Sequence, residues 1–161
     1  MRNKALSEIV SAALIIMFSI IAISLILNTL NPVIDKAKDS AIVDEGFRNL
    51  ELIDNTIKEV VSEGEDSKTT INLKVTDGTY KVDSANDQMN FTYKLKTDLN
   101  IGGQRGEVNV TVNASTVNLF VKYTNIDIKG SAHFTKGDNS ILILHNGTNT
   151  TVNKPIIYIG R

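Results

Sequence analysis

A chain of 161 residues has room for one ordinary domain and an appendage, and its net charge of −1 offers no basic field to recruit nucleic acid. It contains no cysteine, which excludes disulfide staples, thiolate metal sites and thiol nucleophiles. The near-zero mean hydropathy averages two unlike parts. Residues 9–34 hold no Asp, Glu, Lys or Arg, whereas the rest is polar and rich in Asn and Thr.

Residues 1–4 form a short basic leader carrying Arg2 and Lys4. Ile9–Leu30 then reads IVSAALIIMFSIIAISLILNTL. About twenty apolar residues in a helix span a hydrocarbon core of about 30 Å. A helix apolar all round is buried in protein or in lipid. The polar remainder is too small to enclose it, so lipid or neighbouring subunits must. By the positive-inside rule, Arg2 and Lys4 place the N-terminus in the cytoplasm and the C-terminal part outside. The apolar run is longer than a signal-peptide core, and Asn31-Pro32-Val33-Ile34 matches a small-residue cleavage site poorly. The segment is therefore expected to stay. Ser11, Ala12, Ala13, Ser19, Ala22 and Ser24 allow helices to approach closely. Glu8, within a turn of the start of the run, has two readings: a cap at the headgroup level, or an intersubunit ion pair with an amine.

Asn31-Pro32 predicts a kink or brief break, because proline removes a backbone donor and crowds the preceding turn. Residues 33–63 continue as an amphipathic helix. Ile34, Ala37, Ala41, Phe47, Leu50, Ile53, Ile57 and Val60 recur at three- and four-residue steps, with one irregular step near Gly46. The end is expected near Glu63-Gly64, where glycine suits a C-cap. The N-terminal helix is thus read as residues 5–63.

Residues 64–161 change to a period of two. Thr70–Val75, Met89–Leu95 and Val108–Val112 alternate cleanly, and Val117–Ile128, Ile141–Leu144 and Ile156–Ile159 give further strands. Turn signals separate them at Asp77-Gly78, Ala85-Asn86-Asp87, residues 102–106, residues 136–139 and Asn146-Gly147. The pattern predicts an α+β chain: a long helix followed by an all-β, immunoglobulin-like sandwich.

No catalytic constellation stands out, so an enzyme is not expected, nor a metal site or cofactor. His133 and His145 have no zinc-ligand spacing. Residues 102–106, Gly-Gly-Gln-Arg-Gly, lack the strand-to-helix context and Lys-Ser/Thr ending of a phosphate loop and suit a hairpin instead. Asp77, Asp83 and Asp87 fit ordinary turn acids better than a Ca²⁺ loop. Five N-x-S/T sequons begin at Asn90, Asn109, Asn113, Asn146 and Asn149, candidate N-glycosylation sites. Asn109 and Asn113 alternate with Val108, Val110 and Val112 and should face solvent.

Met1-Arg-Asn-Lys followed by Ala5-Leu-Ser-Glu-Ile-Val-Ser-Ala-Ala-Leu-Ile-Ile resembles the N-terminus of an archaeal type IV pilin or archaellin, and Leu27-Asn28-Thr29 adds to the likeness. The resemblance covers about the first 35 residues. It implies a structural subunit of an extracellular filament. A prepilin peptidase would cut between Lys4 and Ala5, membrane lipid would hold the helix before assembly, and membrane assembly machinery would pack it against identical subunits. Glu8 would then pair with a neighbour's amine, with no nucleic acid involved. The rival expectation is a membrane-anchored surface protein that never polymerises, or an accessory component of a filament machine.

Overall fold

The computed structural model describes residues 2–160, with side chains described from Ile9 onward. One helix, α1 (Arg2–Glu63), is 62 residues long, about 93 Å at the usual rise. It passes through Pro32 without a break in its span. It stops where expected: Gly64 takes φ +98°, a left-handed turn that costs glycine little. Ser67 secures the stop, its hydroxyl lying 2.6 Å from the carbonyls of Val60 and Gly64.

Eight strands follow: β1 (Lys68–Asp83), β2 (Gln88–Lys94), β3 (Gln104–Arg105), β4 (Val108–Asn113), β5 (Thr116–Lys122), β6 (Asp127–Lys129), β7 (His133–Asn149) and β8 (Lys154–Gly160). They are hydrogen-bonded into a single sheet of order β3-β4-β5-β2-β1-β7-β8-β6. All its ladders are antiparallel except β6 with β8. The architecture is α+β, a long helix followed by a β domain, and the second half of α1 packs against the sheet. The two edge strands, β3 and β6, are only two and three residues long, which limits the unpaired backbone offered to other chains.

The core lies between the two. Val43, Phe47, Leu50, Ile53, Ile57 and Val60 of α1 are buried against Leu73, Tyr80, Phe91, Leu119, Phe134, Ile141, Ile143 and Ile157 of the sheet. Each such side chain contributes about 1.5–3 kcal/mol relative to staying in water. The helix phase differs from expectation before residue 43. Ile34, Ala37 and Ala41 are exposed, and Asp39, Val43 and Gly46 occupy the buried stripe. Gly46 is buried because the sheet comes too close for a side chain: a Cβ there would lie 2.6 Å from Phe91 Cε1 and 3.0 Å from Leu119 Cδ1.

Three expected turns lie inside long strands instead. Asp77-Gly78 falls within β1, where the register with β7 shifts between Val75 and Thr79. Residues 136–139 lie opposite, within β7. A positive-φ glycine serves the extra residue of a bulge as readily as the corner of a turn, and Gly78 has φ +90°. Asn146-Gly147 sits at a second register shift, in β7 against β8. The bulge in β1 is fixed from the helix: the Thr76 backbone N–H and hydroxyl donate to the two Glu45 carboxylate oxygens at 2.7 and 2.6 Å. The expected strand Val117–Ile128 divides into β5 and β6.

Candidate functional site

Two features lie on α1: an apolar half that touches nothing in the chain, and the point where the helix enters the sheet. Every described side chain from Ile9 to Ile34 is exposed, with Ile9 at 67%, Phe18 at 68% and Leu25 at 63%. A monomer in water rarely shows so large an apolar surface. The segment is long and apolar enough to cross a membrane. Two of its hydroxyls bond back to the helix itself. Ser19 donates to the Ile15 carbonyl at 2.8 Å and Thr29 to the Leu25 carbonyl at 3.0 Å, the bonding that a medium without water requires. The helix backbone begins at Arg2, but the side chains of Lys4, Ala5 and Glu8 lie outside the described residues.

Where α1 enters the sheet, Asp39 is fully buried. Its Oδ1 accepts from the Tyr93 hydroxyl at 2.7 Å, and its Oδ2 accepts from Lys96 N, Thr97 N and the Thr97 hydroxyl at 2.8, 2.8 and 2.9 Å. One carboxylate therefore ties the helix to the chain leaving β2. Burial raises its pKa, but the hydrogen bonds from Tyr93, Thr97 and Lys96 outweigh burial and hold it below the ordinary value. The same contact, with burial acting first, pushes the Tyr93 phenol well above its usual range. Sequence reasoning passed over Asp39 and Gly46, since a count of apolar positions scores both as interruptions of the stripe.

A second clasp closes over the helix from the loop 102–106, which is the β3–β4 hairpin that the sequence indicated. The Arg105 guanidinium sits 5.2 Å from the centroid of the Phe47 ring and 3.2 Å from Asp44 Oδ1. Further along, Asp127 is buried between Lys129 Nζ at 2.6 Å and Asn149 Nδ2 at 2.8 Å. Lys129 first, and Asn149 next, hold its carboxyl below the ordinary value.

The sequon asparagines do not gather. Asn113 and Asn146 are exposed, whereas Asn90, Asn109 and Asn149 are half-buried. Asn149 already donates its amide nitrogen to Asp127. The alternation expected along β4, the strand next to the sheet edge, is incomplete: Val108 is buried, Val110 half-buried and Val112 exposed. His133 is exposed. His145 is buried with neither ring nitrogen hydrogen-bonded. Asp83 accepts from the N–H groups of Ala85 and Asn86, and Asp87 from Ile128 N, as turn acids do. Compared with known protein families, curated proteins and solved structures, the chain gives no match.

Proposed function

We propose that this chain is a structural subunit of a type IV pilus-like extracellular filament, held together by packing of its N-terminal helices with the β domain outside. One observation carries the reading: an apolar helix of about 33 Å over Ile9–Leu30 stands exposed along its whole length on a domain whose own core is closed. The small residues along it, Ser11, Ala12, Ala13, Ser19, Ala22 and Ser24, allow close packing against copies of itself. Before assembly the same surface lies in the membrane. The resemblance of the first 35 residues to archaeal pilins and archaellins supports the assignment, with leader removal between Lys4 and Ala5 by a prepilin peptidase. Membrane assembly machinery then transfers the helix from lipid to filament. Glycans, where present, sit on the exposed sequons Asn113 and Asn146.

The test is intact mass and N-terminal sequencing of protein sheared from cell surfaces. The expected result is a high-molecular-weight fraction whose chains start at Ala5. Chains that start at Met1 and stay with the membrane would overturn the filament reading in favour of an anchored, non-polymerising surface protein.

A further inference from the structure

The bulge of β1 holds the chain's only Asp-Gly pair, Asp77-Gly78. Its flanks are fixed. Thr76 is held by Glu45 of α1 through two hydrogen bonds, and Thr79 pairs with Thr92 of β2 and Thr135 of β7. The β1–β7 register shifts between Val75 and Thr79, so residues 76–78 stand outside that ladder. Asp77 is exposed, and its carboxyl group turns toward the next peptide: the Gly78 backbone N–H donates to Asp77 Oδ1 at 2.8 Å. The carboxyl carbon is one bond from Oδ1, which brings the Gly78 nitrogen close to the contact of about 3–3.5 Å at which bond formation begins. Glycine leaves that nitrogen unhindered, and φ +90° at Gly78 is a conformation that residues with a Cβ rarely adopt.

We infer that Asp77-Gly78 is a site of spontaneous modification, at which the aspartate converts to isoaspartate. The Gly78 nitrogen bonds to Cγ of the protonated carboxyl group. The C–O bond breaks, and the hydroxyl departs with the amide proton as water, leaving a succinimide ring. Water, which reaches the exposed site, then adds to a ring carbonyl. Addition at Cγ breaks the new bond and restores aspartate. Addition at the main-chain carbonyl of Asp77 leaves the nitrogen on Cγ, so the chain runs through the side chain and gains one methylene. The water lost in the first step is regained in the second, and no other reactant is needed. The added methylene falls between the Glu45 contact and the ladder at Thr79, where the space beside Gly78 is taken by Phe91. Isomerisation therefore loosens the hold of the bulge on α1. The site does not depend on whether the chain assembles.

The test follows the full chain in neutral detergent over weeks at neutral pH, folded and, in parallel, unfolded in guanidinium chloride. Peptides are then labelled with a protein isoaspartyl methyltransferase and sequenced by electron-transfer fragmentation, which tells isoaspartate at residue 77 from any formed at Asn146-Gly147. Isoaspartate at residue 77 is expected to accumulate several times faster in the folded chain, because the fold holds the nitrogen against the carboxyl group. A folded rate equal to or below the unfolded one would overturn the inference, since the dipeptide alone would then account for the reaction. Asp77→Glu lengthens an exposed side chain and disfavours ring closure. It is expected to fold as the wild type does and to lose the methyl-acceptor signal of that peptide; a signal that persists would overturn the assignment to this residue. The isomerised fraction, separated by chromatography, is expected to unfold at a lower denaturant midpoint than the unmodified chain, and an unchanged midpoint would overturn the loosening of the bulge.

Discussion

Asp39→Ala leaves four donors facing the space of one carboxylate, two of them backbone N–H groups with no other partner among the described residues. The expected loss is about 2–4 kcal/mol by denaturant unfolding. Asp39→Asn keeps one acceptor oxygen for Lys96 and Thr97 and should cost about half as much. The pH dependence follows from the same contacts. A carboxylate whose folded pKa lies below its unfolded value of 3.8 contributes stability that is fully present above that value and is lost as pH falls through the folded one. Asp83 and Asp127 are depressed as well, so Asp39→Asn should flatten the acid limb of the stability curve below about pH 4 without abolishing it. Gly46 gives the opposite lesson about composition. In an exposed helix Gly→Ala gains about 1 kcal/mol. At Gly46 the new methyl would meet Phe91, itself pressed from its other edge by Gly78, where a Cβ would lie 2.5 Å from Phe91 Cε2. Overpacking of about 1–3 kcal/mol then wins, and Gly46→Ala should lower the denaturation midpoint.

At the scale of elements, α1 is one helix with two environments. Ile53→Ala, in the half inside the sheet, should destabilise the domain by about 2–5 kcal/mol. Ile16→Ala, in the exposed half, should leave the unfolding midpoint of the domain unchanged and weaken assembly, read as a smaller sheared fraction. The apolar half was legible from charge content alone, and the core stripe from Phe47 to Val60 from its spacing. The stripe before Val43 was not legible, because its buried members are a charged residue and a glycine. Nothing local marks Asp39 as a core residue: its donors come from Tyr93, Lys96 and Thr97, more than fifty positions away. Strand alternation identified the first part of β1, β2 and β4, but Asp77-Gly78 carries the same composition whether the chain turns back or bulges and goes on. Only the partner strand decides, and β7 is remote in sequence.

For the whole molecule, the proposed filament would owe its cohesion to apolar helices and not to ion pairs. Sheared assemblies should therefore withstand molar salt, which screens charge contacts, and come apart in detergent. Sedimentation of each treatment reads this directly; dissociation by salt alone would locate the cohesion in the charged β-domain surfaces.

The strand order also dictates a sequence of events during synthesis. β6 pairs only with β8, and β8 lies between β6 and β7 although it is made after both. Until Lys154–Gly160 has left the ribosome, β6 has no ladder and β7 has one side open. The helix half that fills the core is made first and must wait for nearly all of the sheet, a non-local closure of the slow kind. If the chain is inserted through its N-terminal helix, as proposed, the anchor is thus in place before the β domain that it carries can close.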